Sequence, residues 1–86
     1  MFIEATLLEI LRDIQDFPEN DKASVEEDII KHGEYEIALE SICGVLFEDK
    51  IVISNNLFER IMGIGNKMKM DSIFWDSIKN EGLVRK

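Results

Sequence analysis

The sequence predicts an all-α fold, a single small bundle of four to five short antiparallel helices that spans residues 1–86 as one domain. Apolar residues recur at three- and four-residue steps along most of the chain, as they do on one face of an α-helix. Only residues 51–53 form a β-branched run, which is too short to require a sheet. At this length the core is small, but it needs no disulfide or metal.

Residues 3–17 are predicted to form the first helix, with Leu7 and Leu11 on its apolar face. The helix is expected to stop at Phe17, because the residue before a proline is pushed out of the α region. The polar residues 19–22 then read as a turn.

A second, short helix is predicted to begin at Ser24, which forms a capping-box pattern with Glu27. Glu26, Glu27 and Asp28 would then lie in the first turn, where the helix dipole favours negative charge. Gly33 is expected to terminate this helix.

Residues 34–48 are predicted to form the central helix, around which the other helices pack. One face carries the apolar side chains Tyr35, Ala38, Leu39, Ile42, Cys43 and Leu46. Another face carries Glu36, Glu40 and Glu48 near one line, with Gly44 filling the same line; we call these three glutamates the acidic row. Like charges four residues apart cost a helix a few tenths of a kcal/mol, so the row suggests a role beyond folding.

Residues 51–53 are expected to be a brief extended segment, and the sequence offers no obvious second strand to pair with it. Ser54 is predicted to cap a fourth helix over residues 55–68. Gly63 and Gly65 fall inside that helix, which indicates either a close helix–helix approach or early fraying.

Asp71 or Ser72 is predicted to cap a last short helix that buries Trp75 and ends at Gly82, followed by a tail, residues 83–86, that docks or frays. The expected core is Leu7, Leu8, Leu11, Ile14, Ile30, Tyr35, Ala38, Leu39, Ile42, Cys43, Leu46, Leu57, Ile61 and Trp75.

The formal net charge of −8 is concentrated in residues 1–54, which carry a net charge of −10, whereas residues 55–86 carry +2. An acidic surface repels nucleic acid and anionic lipid and attracts a basic partner, but the charge taken alone favours a solvated, solubilising surface. We therefore expect no direct nucleic-acid contact and no membrane contact. The sequence shows no basic leader and no long apolar run, so we expect a cytoplasmic protein.

The sequence offers no catalytic or cofactor-binding set. One cysteine and one histidine supply neither a disulfide nor a Cys/His metal site. Cys43 lies on the apolar face of the central helix, where burial raises the pKa of a thiol and makes it inert. We therefore expect no enzyme activity, no catalytic residue, no metal and no cofactor.

The segment Gly-Glu-Tyr-Glu-Ile-Ala-Leu-Glu at residues 33–40, the pair Ile42-Cys43 and the run Leu46-Phe47-Glu48 together resemble the central segment of MafI-type immunity proteins. These are small acidic helical proteins encoded beside polymorphic secreted toxins, including those of contact-dependent growth inhibition systems. Residues 51–54, the helix after them and residues 71–75 follow in the order of that family. Gly44, Gly63, Gly65 and the pair Lys69-Met70 depart from its pattern.

The resemblance implies an immunity protein that binds and neutralises the C-terminal domain of a cognate toxin, typically a nuclease with a basic cleft. The candidate partner-binding residues are Glu26, Glu27, Asp28, Glu34, Glu36, Glu40, Glu48 and Asp49. For residues 26–28 a helix-capping role is an equal alternative, and for Glu36 and Glu40 a solvated face is.

Two other functions remain open. One is an acidic helical adaptor or regulatory subunit that binds a basic protein unrelated to toxins. The other is a carrier modified at Ser72, because Asp71-Ser72-Ile73 is similar to the Asp-Ser-Leu of acyl carrier proteins. In that family, however, two further helices follow the serine, so a capping role for Ser72 is favoured.

Overall fold

The computed structural model of the protein describes residues 2–86 and is essentially all-α, as the sequence predicts. The described residues form five helices: α1 (Ile3–Asp13), α2 (Glu19–Ile30), α3 (Tyr35–Glu48), α4 (Asn55–Lys67) and α5 (Ile73–Asn80). Two strands of two residues each, β1 (Ile53–Ser54) and β2 (Val84–Arg85), pair in parallel.

Helix α3 is the centre of the bundle, because it contacts each of the other four helices. Its buried face is the predicted stripe of Ala38, Leu39, Ile42, Cys43 and Leu46, each at most 2% exposed. Helices α2 and α5 make the most extensive contacts with α3. The exposed side of α3 therefore lies between α2 and α5.

Helix α1 ends earlier than predicted, at Asp13 rather than at Phe17. Ile14 adopts an extended conformation (φ −81°, ψ 112°), which turns the chain out of the helix. Both Ile14 and Phe17 are then buried from the connecting segment. Ile14 and Phe17 are therefore apolar because the connecting segment packs into the core, and not because α1 continues through them.

Helix α2 begins directly after Pro18, so the prediction of a cap at Ser24 is wrong. The carbonyl of Pro18 accepts the N–H of Lys22 at 2.8 Å, and residues 19–22 form the first turn of the helix and not a polar turn. Two acids in that turn interact favourably with the helix dipole. Ser24 consequently lies within the helix, where its side chain caps nothing.

The core residues of α2 also differ from the prediction. Val25 and Ile29, one turn apart, are buried, whereas Ile30 is 60% exposed and not the core residue predicted. Leu8 and Tyr35 are only partly buried. The core further includes residues outside the predicted set: Ile10, Phe17, Val25, Ile29, Ile51, Ile53, Phe58, Ile64, Ile78 and Leu83.

The extended segment after α3 finds a partner that the sequence did not reveal. Ile53 donates its N–H to the carbonyl of Leu83 at 2.8 Å, so the chain tail docks as β2 against β1. Ser54 caps α4 as predicted, because its hydroxyl accepts the N–H of Leu57 at 3.1 Å. Leu83 is buried, which ties the chain end to the bundle.

Helix α4 meets α5 at a close contact that explains one of its glycines. A Cβ atom built on Gly65 would lie 2.6 Å from Cη2 of the buried Trp75 ring. A Cβ atom built on Gly63 would have no neighbour within 4 Å, so packing does not require glycine at that position. Within residues 2–86, no helix is long and apolar enough to cross a membrane.

Candidate functional site

The acidic row lies on the outer side of α3. Glu36, Glu40 and Glu48 are all exposed, because the opposite side of the helix is buried in the core. Gly44 stands between Glu40 and Glu48 at one-turn steps and is also exposed. The row therefore has a gap at its centre where the helix backbone is accessible.

A groove runs between α2 and α3, with a volume of about 390 Å³. Its walls carry three carboxylates and two hydroxyls above an apolar base. The lining residues are Asp21, Ser24, Val25, Ser41, Gly44, Val45, Glu48 and Asp49. Carboxylate and hydroxyl oxygens accept hydrogen bonds, so this groove suits a cationic donor such as a guanidinium.

A second groove, of about 380 Å³, runs along the other side of α3, between α3 and α5. Its lining is mainly apolar and aromatic, and consists of Glu40, Cys43, Gly44, Phe47, Ile73, Phe74 and Ser77. Gly44 belongs to both grooves, so its missing side chain leaves a saddle between them. Glu40 brings the acidic row to the rim of this apolar groove.

A third groove, of about 410 Å³, lies at the beginning of α3 and is lined by Ile3, Gly33, Glu34, Tyr35, Glu36, Ile37 and Met68. Tyr35 donates a hydrogen bond to Glu4 at 3.3 Å. Desolvation, followed by the charge and hydrogen bond of Glu4, raises the pKa of Tyr35. The first two grooves share Gly44, whereas this third groove lies apart from them at the beginning of α3.

The charge of these three grooves is one-sided. Their lining includes six carboxylates and no lysine, arginine or histidine; the carboxylates are Asp21, Glu34, Glu36, Glu40, Glu48 and Asp49. By contrast, Lys67 lines the groove between α1 and α4, and Arg85 lines the groove beside β1. The lining of the three grooves beside α3 is therefore acidic, whereas the other two grooves each contain a base.

Five of the eight predicted site residues line these three grooves: Glu34, Glu36, Glu40, Glu48 and Asp49. The other three, Glu26, Glu27 and Asp28, line none of them. Because α2 begins at Glu19, these three residues are not in its first turn, so the predicted dipole role is wrong. Glu27 instead forms an exposed ion pair with Lys31 at 3.5 Å.

Within residues 2–86, no glutamate of the acidic row forms an ion pair. The ion pairs in this part of the chain are Lys31–Glu27, Lys50–Glu81 and Arg60–Asp13, and none of them includes a member of the row. The Lys50 ammonium lies 4.9 Å from the centroid of the Phe47 ring and 2.7 Å from Glu81. The ammonium of Lys50, which lies over Phe47 of the apolar groove, therefore already has its own carboxylate.

The cysteine at the floor of the apolar groove behaves as a packing residue. Burial, with a smaller effect from the charge of Glu40, raises the pKa of the Cys43 thiol to about 12. A thiol at that pKa is almost entirely protonated near neutral pH and is a poor nucleophile. Within residues 2–86, no group of three or more His, Cys, Asp or Glu side chains is arranged to hold a metal ion.

The sequence did not identify the apolar half of this face, formed by Phe47, Ile73 and Phe74. A usable signal was present, because Ile73 and Phe74 are consecutive in a helix of eight residues that already buries Trp75. So short a helix cannot bury apolar side chains on all sides. Ile73 is accordingly 64% exposed.

Comparisons of the chain with models of protein families, with curated proteins and with solved structures find no match.

Proposed function

We propose that this chain is an immunity protein, which binds and neutralises the C-terminal domain of a cognate polymorphic toxin of the contact-dependent growth inhibition type. The observation that carries the proposal is the gathering of six carboxylates, without a cation, in the three grooves along α3. The resemblance of residues 33–75 to the MafI-type family supplies the class of partner. The function is binding, and it requires no catalytic group or cofactor.

Electrostatics explains why such a face suits a nuclease partner. A nuclease needs a basic cleft to hold the phosphates of its substrate, and an acidic protein can occupy or flank that cleft. Complementary charge accelerates association and makes it dependent on salt. The acids of the acidic row provide this field because none of them forms an ion pair, and Lys50, which follows α3, is bound to Glu81.

Charge alone does not distinguish one basic partner from another. Specificity requires packed contacts near the centre of an interface, surrounded by polar groups. The saddle at Gly44 offers such a centre, with polar walls towards α2 and apolar walls towards α5. We therefore place the centre of the interface at Gly44, and the acidic row within it.

The test is co-purification of the tagged, full-length chain from its native host, at salt concentrations from about 0.05 to 0.5 M, a range over which screening of exposed charges becomes strong. We expect capture of the C-terminal domain of a large secreted protein encoded beside this chain, with affinity falling as salt rises. Expression of that domain alone should stop growth, and co-expression of this chain should restore it.

Other outcomes would contradict the proposal. Capture of a housekeeping complex, with no neighbouring toxin gene, would identify the chain as an adaptor or regulatory subunit instead. Capture of a toxin domain with no effect of salt would refute the electrostatic part alone. An intact mass increased by a phosphopantetheine group, lost in Ser72→Ala, would identify a carrier.

A further inference from the structure

We infer that the groove between α3 and α5 is the docking site for an apolar side chain of the partner, carried on a segment whose flanking residues are lysine or arginine. This inference rests on the proposed function and specifies the chemistry of its partner. Its essential feature is an apolar surface with an acidic rim, since Glu40 lines the same groove as Phe47 and Ile73.

Exposure of the groove is the first observation. Ile73 is 64% exposed at the beginning of α5, where it contributes little to the core. Phe74 and Phe47 are each only partly buried beside it. Covering such side chains releases free energy in proportion to the apolar area removed from water, at about 25 cal/mol per Å².

The groove is also preformed. Cys43 closes its floor at 2% exposure, and the Phe47 ring is partly buried beside it with the Lys50 ammonium over its face. Ser77 is fixed by a hydrogen bond from its hydroxyl to the carbonyl of Phe74 at 3.1 Å. An incoming side chain therefore finds ordered walls, which reduces the entropy that binding must overcome.

Charge complementarity selects the occupant. Glu40 lies at the rim, Glu36 lies one turn before it, and Lys50, the cation over the Phe47 ring, is paired with Glu81. An apolar segment with acidic neighbours would be repelled, and one with neutral neighbours would gain nothing from the rim. An apolar segment with basic neighbours gains binding free energy both from the apolar groove and from its acidic rim. A second copy of this acidic chain is disfavoured for the same reason.

The access route favours a segment that crosses α3. Gly44 lines this groove and the α2–α3 groove, and it has no side chain to obstruct a backbone that passes over it. An apolar residue would enter between α3 and α5, while a cation on the same segment reaches Glu48 and Asp49. Both halves of the face are then used by one partner element.

The test uses two synthetic probes of equal charge, so it does not depend on finding the toxin. One is a short amphipathic helical peptide of leucine and lysine, with leucines at three- and four-residue steps. In the other, serine replaces every leucine. Titration calorimetry against the full-length chain should give an affinity at least about tenfold higher for the leucine peptide, as expected from burying an apolar side chain.

The variant is Ile73→Glu, with Ile30→Glu as the matched control, because both isoleucines are more than half exposed on helices. Glutamate in the first turn of α5 is compatible with folding, since the helix dipole favours it there. Ile73→Glu should weaken binding of the leucine peptide by about tenfold, although it adds an acid, whereas Ile30→Glu should not.

Unchanged or tighter binding of the leucine peptide by Ile73→Glu would overturn the inference and leave a purely electrostatic face. Equal affinity of the two peptides for the unmodified chain would overturn it as well. Failure of this inference and failure of the proposed function are distinguishable: the groove can bind the leucine peptide when no toxin is captured, and a toxin can bind when Ile73→Glu has no effect.

Discussion

The ring of Trp75 packs directly against the backbone of Gly65, at a distance that leaves no room for a side chain at position 65. This contact joins α4 to α5, and through α5 it helps to position one wall of the apolar groove. Because Trp75 is 1% exposed and surrounded by the core, it cannot swing out of the way. The contact is therefore a sensitive point of the fold.

Gly65→Ala should lower the free energy of unfolding by about 1–3 kcal/mol, because the methyl group overlaps the indole. Gly63→Ala is the matched control, since nothing lies within 4 Å of the added atom there. It should raise stability by up to about 1 kcal/mol through helix propensity. Urea denaturation measures the free energy of unfolding of both variants. Equal changes in that free energy would show that the close contact between Gly65 and Trp75 is absent.

Gly44→Ala should likewise raise the free energy of unfolding by up to about 1 kcal/mol, because its Cβ would meet no neighbour. Gly44→Trp should fold but weaken binding of the partner by at least about tenfold, since a large side chain fills the saddle. Gly63→Trp provides the control on a different groove. Full binding by Gly44→Trp would place the interface elsewhere.

Lys69, two residues after the last residue of α4, adopts a left-handed conformation (φ 59°), a position that glycine occupies at lower cost. The N–H of Met70 donates to the carbonyl of Gly65 at 3.0 Å, which closes the helix end. Lys69→Gly should therefore stabilise the protein by about 0.5–1 kcal/mol. Lys67→Gly, inside α4, should destabilise it instead. Thermal melting distinguishes the two, and a loss of stability in both would contradict the helix-end assignment.

Cys43 makes stability dependent on alkaline pH. Burial raises the pKa of its thiol from an ordinary 9.0 to about 12, so between these values the unfolded chain loses a proton that the folded chain keeps. The free energy of unfolding should fall there by up to about 1.4 kcal/mol per pH unit. Below pH 9 the thiol should have no effect on the slope.

The comparison variant is Cys43→Ala, which removes this titration while Tyr35 and the lysines remain in both proteins. Its stability should be lower at neutral pH, because a buried sulfur atom is lost, but it should decline less steeply above pH 9. Denaturation across pH 8–11 measures both slopes. Parallel slopes would show that the thiol is not shielded from water.

The sequence predicted the fold class and the central helix because the three- and four-residue spacing of apolar residues in α3 fits one face of an α-helix and does not fit a strand. It misplaced the beginning of α2, since Ser24–Glu27 and Pro18 are both valid start signals and only tertiary packing chooses between them. The helix that begins after Pro18 buries Val25 and Ile29, which a start at Ser24 would also allow, so the burial of these residues does not reveal the true start. A capping pattern can be read from a few neighbouring residues, whereas the choice between two possible caps depends on how the whole chain packs.

The strand pair and the apolar groove depended on contacts that sequence spacing does not encode. Ile53 and Leu83 are far apart in sequence and meet through one backbone hydrogen bond, so neither carries a strand pattern long enough to recognise. Five predicted acids line grooves beside α3, because three of them lie within α3 and Glu34 and Asp49 flank its two ends. The apolar half of that face requires α5 beside α3, which only the packing of the bundle reveals.

The most direct test of the central claim is the affinity of the captured partner for the double variant Glu36→Lys with Glu40→Lys. Its control is Glu9→Lys with Glu59→Lys, which changes the net charge equally on exposed positions of α1 and α4. Circular dichroism should show both variants folded. We predict that the first loses at least about tenfold in affinity and the second much less, because charge effects are screened with distance. Equal affinities for the two variants would mean that the acids of α3 serve solubility and that the partner binds elsewhere.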